Sequence, residues 1–290
     1  MIEQMRKFNR TVTQRVGALD DAFLARGRPL GQARLLWEIG EDGADVRTLR
    51  SRLELDSGYL SRMLGSLQAD GLISVSASPR DARVRMARLT DAGRAERAIL
   101  DELSDAAAGA ILEPLSPRQR QRLVAAMTEV ERLLTASMIS VARCDPRDAA
   151  ARYCLRAYFS ELDLRFETGF DPAHSNTAGD GELTPPVGVL LVATLHEQPV
   201  GCGAVRLQAG QPAEIKRMWV APSVRGLGLG RRILAELENE ARAAGARSAR
   251  LETNGVLREA IALYRSSGYR EIRAFSDDPY AEHSFSKPLG

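Results

Sequence analysis

The stretch Arg225-Gly226-Leu227-Gly228-Leu229-Gly230 lies between a strand-like run at residues 214–220 and a long amphipathic helical pattern. Glycines just ahead of a helix let the backbone turn its N–H groups toward one point, where the helix dipole adds positive potential. Such a turn binds pyrophosphate without a dedicated side chain. On the glycines alone, a plain strand-to-helix connection stays open. Two other phosphate loops do not fit. A Walker loop ends in Gly-Lys-Ser/Thr, whereas Gly230 is followed by Arg231, and the dinucleotide pattern G-x-G-x-x-G with an acidic residue ending the next strand is not met.

Around this loop the second half of the chain alternates strands and helices. An amphipathic helix carries Leu155, Phe159, Leu162 and Phe166. Strands are expected at residues 188–195, 200–207 and 214–220. After them come a helix, a strand at 249–253, a second helix and two last strands. The first half reads as nearly all helix. Phe8, Val12, Val16, Leu19 and Phe23 form one apolar stripe at three- to four-residue spacing. Pro29 opens a second helix, Asp45 caps a third, and Asp56 caps a fourth that Gly71 ends. Two short strands at 72–77 and 84–89 flank a polar turn. Thr90 caps a long helix, and Ser116, Pro117 and Gln119 open another running to about residue 140. The change of pattern predicts two domains, residues 1–143 and 144–290. The first is mainly α with a winged helix-turn-helix; the second is α/β with a mixed sheet.

The 290 residues, 44% hydrophobic and 27% charged, are those of a globular protein, with a net charge of only +2. A modest basic bias sits in the N-terminal half. No membrane span or signal peptide is evident, and the three cysteines, Cys144, Cys154 and Cys202, show no C-x-x-C spacing. The expectation is a cytoplasmic protein. His174, His196 and His283 are scattered, so no metal site is expected.

Two short capped helices followed by a basic two-stranded turn make the winged pattern. The helix after Asp56 would lie in the DNA major groove, with Ser57, Tyr59, Ser61 and Arg62 near the base edges. The wing holds Arg80, Arg83, Arg85 and Arg88 against Asp81, a suitable charge for a narrow minor groove. Ordinary solvated charges are the alternative for these residues. Asp81-x-Arg83 followed by Leu89-Thr90-x-x-Gly93 resembles the D-x-R…L-T-x-x-G signature of the MarR family of bacterial transcriptional regulators. The resemblance covers roughly residues 1–143 and implies a homodimer on a double-stranded, pseudo-palindromic operator. It also implies that the aspartate orients the wing and that Arg83 reaches toward the minor groove.

The spacing R-x-x-G-x-G from Arg225, the strand ending Val220-Ala221-Pro222, and the later stretch from Ala262 to Tyr269 resemble the GNAT (GCN5-related) N-acetyltransferases. The resemblance implies a splayed sheet and transfer of an acetyl group from acetyl-coenzyme A to a small-molecule amine. It implies cofactor contacts from Met218, Trp219 and Val220, from Arg225, Gly226, Leu227, Gly228, Leu229, Gly230 and Arg231, and from Asn254. Tyr264 would be the acid that protonates the departing thiolate, and Glu214 the base that frees the amine. Strand alternation would put Glu214, Lys216, Met218 and Val220 on one face. Three blander readings stay open on the residues themselves: Tyr264 as a core aromatic, Glu214 as a strand-edge acid, and Asn254-Gly255 as a simple turn. The polar segment 169–186 reads as a substrate lid. Three functions compete: a bifunctional regulator-enzyme, a repressor whose second domain only senses acetyl-coenzyme A or an effector, and an enzyme whose helical half is a dimerisation scaffold.

Overall fold

The computed structural model describes residues 1–18, 23–79, 81–175 and 178–290. The chain forms two compact units, Met1–Thr128 and Glu129–Gly290.

In the first unit, α1 (Ile2–Arg15) buries none of its residues. Phe8, Val12 and Val16 of the predicted stripe are exposed, Leu19 lies outside the described residues, and Phe23 is buried in a separate short turn. The helical period therefore stops at Arg15; Gly17, at φ 65°, takes a conformation that a helix cannot continue. The core is built from α2 (Leu30–Ile39), α3 (Val46–Leu53) and α4 (Ser57–Ala69) through Leu35, Leu36, Leu49, Leu60 and Leu67. The Asp45 and Asp56 carboxylates accept the Thr48 and Tyr59 amides at 2.8 Å, the caps their positions imply. A three-stranded sheet follows, in the order β1 (Ala44–Asp45), β3 (Arg85–Leu89), β2 (Ile73–Ala77). The two-residue β1 is too short to leave a period in the sequence.

The Leu-Thr-x-x-Gly stretch has a local physical cause. Thr90 Oγ1 accepts the Gly93 amide at 3.0 Å and donates to the Gly71 carbonyl at 2.7 Å, so it caps α5 (Asp91–Leu112) and pins it to the end of α4. A Cβ at position 93 would sit 1.9 Å from the Leu72 carbonyl oxygen, so only glycine permits this approach. Helix α6 (Pro117–Met138) opens with the capping box expected of Ser116 and Gln119.

The second unit holds a seven-stranded sheet in the order β4-β5-β6-β7-β8-β10-β9. Its strands are β4 (Ser140–Arg143), β5 (Gly188–Leu195), β6 (Gln198–Arg206), β7 (Ala213–Val220), β8 (Ser248–Thr253), β9 (Arg270–Ile272) and β10 (His283–Pro288). β4 was not foreseen. It pairs Ser140–Arg143 antiparallel with β5, so these four residues, assigned from the sequence to the first half, lie in the sheet of the second. Helices α7 (Ala149–Arg165) and α8 (Leu229–Ala243) cover opposite faces. Cys202 meets α7 through Cys154, while a Cβ on either neighbour, Gly201 or Gly203, would strike Ile233 of α8. A third helix, α9 (Arg258–Ser266), follows β8. No helix among the described residues is long and apolar enough to cross a membrane.

The feature that makes a site is the β7–β8 junction. These parallel strands pair only at Ala213 with Ala249 and Glu214 with Arg250. Beyond that point they part, and the rest of β7 lines an opening in the sheet. The register of β6 against β7 also shifts between Cys202 and Ala204, where Arg217 adopts φ 57°. This bulge corrects the expected alternation: one face does not run unbroken from Glu214 to Val220.

Candidate functional site

The opening holds two adjoining cavities. The larger, about 670 Å³, is a groove between β7, the start of α8, α7 and α9. At one end stand Arg225, Gly226, Gly228, Gly230 and Arg231; along its length run Met218, Trp219 and Val220. Gly228, at φ 80°, precedes the first residue of α8, and the first N–H groups of that helix have no intrahelical acceptor. A Cβ at Gly228 would meet no protein atom within 4 Å. Glycine is thus favoured there by its left-handed backbone and not by packing against protein atoms. A helix N-terminus behind an open glycine loop fits a pyrophosphate.

The groove's arginines are anchored. Arg225 donates to the Val220 carbonyl at 3.0 Å and pairs with Glu161 at 2.5 Å, a carboxylate that also accepts the Trp219 indole N–H at 3.0 Å. Arg165 bridges Glu161 and Glu259, and Arg231 binds Ser266. From α6, Arg132 donates to the Gly226 carbonyl at 2.7 Å.

The smaller cavity, about 110 Å³, lies on the other side of Tyr158, Met218 and Tyr264, which line both spaces. Its wall includes Glu214, Lys216, Arg217, Glu252, Asn254 and Asp278. Tyr264, on α9, is 5% exposed and packs against Tyr269 and Phe285. Burial raises its pKa far above that of a free phenol, with Tyr158 adding to the effect, so its hydroxyl is protonated at any neutral pH. Burial raises Tyr158 in the same direction.

Glu214 is the hub of an ion-pair cluster: Arg206 at 2.7 Å, Lys216 at 2.8 Å and Arg250 at 3.5 Å. Burial works to raise its pKa, but Lys216 and Arg206 outweigh burial and hold the carboxyl below its ordinary range. A carboxylate so stabilised is a weaker proton acceptor, which counts against the base role read for Glu214. Glu252, by contrast, is held by the Ser276 and Ser284 hydroxyls and has no cationic partner among the described residues.

In the first unit, Ser57, Tyr59, Ser61 and Arg62 are all exposed along the start of α4, while Leu60, Met63, Leu64 and Leu67 face the core. The Arg62 guanidinium lies 5.8 Å over the Tyr59 ring. In the wing, the Asp81 carboxylate accepts the Arg83 amide at 2.9 Å, closing the turn that presents the exposed Arg83 and Arg85 side chains. Arg80 lies outside the described residues.

Residues 186–271 match the profile of the acetyltransferase (GNAT) domain, and residues 26–84 that of the MarR family. The chain is 38% identical over 158 residues to the IAA acetyltransferase of Azospirillum brasilense, across 52% of this chain and 98% of that protein. The chain belongs to the GNAT acetyltransferases. A MarR-family domain is fused ahead of its GNAT domain, as both sequence signatures implied. An uncharacterized N-acetyltransferase of Schizosaccharomyces pombe is 35% identical over 120 residues, covering 41% of this chain and 72% of that one. The solved GNAT-family acetyltransferase of Staphylococcus aureus is 16% identical, covers 52% of this chain and 99% of its own, and superposes with a TM-score of 0.44.

Within the GNAT domain the structure gathers most of the cofactor residues read from the sequence into one groove. Leu227 and Asn254 are exceptions. Leu227 packs against the core. Asn254 lines the smaller cavity, and its amide is spent on the Tyr280 carbonyl, Glu282 and the Val256 amide, which is the turn role. In segment 169–186, Ala178 and Leu183 are buried, Phe170 stacks at 5.7 Å on Phe159, and Phe170 and Ser175 line the smaller cavity. The sequence reading missed Tyr158, Arg217 and Glu252. Helical and strand periodicity marks such residues as inward-facing; only the parting of β7 and β8 makes inward mean toward a cavity.

Proposed function

We propose that the GNAT domain moves an acetyl group from acetyl-coenzyme A to the amine of a small molecule, and that the MarR domain binds a double-stranded operator as a homodimer in the cytoplasm. The observation that carries the enzymatic reading is the position of Tyr264, on the wall shared by the groove and the smaller cavity. Acetyl-coenzyme A supplies the thioester whose C–S bond breaks as the new C–N bond forms. Gly226, Gly228 and Gly230 hold its pyrophosphate at the start of α8, and β7 lies along its arm. Glu252 takes the proton released by the amine, since its carboxylate is not neutralised by a cation. Tyr264 gives its proton to the departing sulfur. Both residues line the cavity in which the amine would sit.

A screen of amines and amino acids for release of free coenzyme A thiol tests this reading. Turnover on at least one acceptor is expected. Tight acetyl-coenzyme A binding with no thiol release on any acceptor would leave the sensor reading in its place. For the anchor, Gly228→Ala is expected to weaken acetyl-coenzyme A binding about tenfold by calorimetry. A Cβ costs roughly 1–2 kcal/mol in the left-handed region, and relaxing it moves the loop. Unchanged affinity would show that the loop is not the anchor.

The DNA reading is supported by the exposed face of α4 and by the wing that Asp81 closes. Dimerisation is supported by apolar side chains left exposed on α1 (Ile2, Met5, Phe8) and on α6 (Val124, Met127, Leu133). On an operator selected from random duplexes, Arg83→Ala is expected to weaken binding by about 1–3 kcal/mol and to lower the salt slope by about one unit. Equal affinities across a salt series would mean that the wing does not touch DNA.

A further inference from the structure

Arg217 occupies an unusual position in the smaller cavity. The β7 bulge places it in the left-handed region, at φ 57°, a conformation that a branched or long side chain adopts only when the surrounding fold enforces it. Its guanidinium lies 5.3 Å over the Phe159 ring and donates through Nη2 to the Ala178 carbonyl. Its Nε is buried and has no hydrogen-bond partner, and no carboxylate among the described residues forms an ion pair with it.

The surrounding charges do not compensate for this. Lys216, the adjacent cation, is paired with Glu214. Of the acids near Arg217, Asp180 is paired with Arg152 and Glu182 with Arg206. A half-buried guanidinium without a carboxylate is costly, and burial works against its charge. The cost is recovered if the cavity's occupant brings the missing anion. A guanidinium presents paired N–H donors that match a carboxylate, and stacking on an aromatic ring fixes its plane. The same cavity also offers Glu252, which has no cationic partner among the described residues.

We propose that the acceptor is a small amino acid, its carboxylate bound by Arg217 and its amine directed toward Glu252. This deepens the acyl-transfer reading and rests on it. Of the two cavities Arg217 lines the smaller, so it acts on acceptor choice and not on the coenzyme groove.

Bisubstrate conjugates test the subsite whichever amino acid is the natural acceptor. Coenzyme A is joined through its sulfur and an acetyl bridge to the nitrogen of glycine, and in a second conjugate to that of glycinamide. Binding of both conjugates and of coenzyme A alone to the full-length protein is measured by calorimetry. The glycine conjugate is expected to bind about 10- to 100-fold more tightly than the glycinamide conjugate, the usual worth of a charge-assisted hydrogen bond. In Arg217→Gln that difference should vanish with coenzyme A affinity unchanged, and Arg217→Lys should restore part of it. Equal affinities of the two conjugates for the parent protein, or a difference that survives in Arg217→Gln, would overturn the carboxylate subsite and leave acyl transfer standing. Failure of coenzyme A itself to bind would overturn the acyl-transfer reading, and the subsite with it.

Discussion

Replacing Tyr264 by Phe is expected to lower kcat about 10²- to 10⁴-fold while leaving acetyl-coenzyme A affinity unchanged, the usual worth of a positioned acid. The substitution keeps the ring that packs against Tyr269 and Phe285 and removes only the hydroxyl. That hydroxyl matters as the sulfur departs, so its loss falls on the transition state and not on ground-state binding. Tyr158 supplies the internal control. It is a second phenol on the same shared wall, and burial raises its pKa too. Tyr158→Phe should retain most of the turnover. If the loss follows Tyr158→Phe instead, the acid is Tyr158, and Tyr264 is left as a core aromatic. The measurement is steady-state kinetics on an acceptor found in the amine screen, with cofactor affinity taken by calorimetry.

Replacing Glu214 by Gln is expected to destabilise the second unit by about 3–5 kcal/mol, the cost of removing one partner from a buried ionic cluster. The side chain is 4% exposed, and its loss of charge leaves Arg206, Lys216 and Arg250 facing one another without their shared counter-ion. The pH dependence has a definite sign. The folded carboxyl titrates below its ordinary value, which is about 4.3 in an unfolded chain, so its contribution is fully present above that value. It is lost as pH falls through the lower, folded value. Urea unfolding of the parent should therefore weaken on acidification below about pH 4, while the Gln variant should lack this component. A loss under about 1 kcal/mol, with the acid dependence intact, would return Glu214 to the proton-transfer role first read for it.

Much of the fold was legible because its causes lie within a few residues of each other along the chain. The Asp45 and Asp56 caps, the Ser116 capping box and the strand at 188–195 are short-range effects of propensity, capping and alternation. The Gly turn before α8 is of the same kind: it needs only glycine's freedom at Gly228 and a helix start, both written in adjacent residues. What could not be read depends on partners far apart in sequence. β4 is four residues with no strong pattern and becomes a strand only because β5 offers it an edge. The ion-pair cluster around Glu214 is another case, since Arg206 and Arg250 lie 8 and 36 residues away.

The amino-acid sequence by itself determined the two families, the order of their elements and the loop that would hold a pyrophosphate, because local geometry and motif spacing suffice for these. Only the tertiary structure decided what lines the acceptor cavity. Arg217, Glu252 and Tyr158 come from three different elements, and they meet because β7 and β8 pair at two positions and then part. Where the strands part is set by the twist and bulge of the whole sheet, a long-range property that no window of sequence contains.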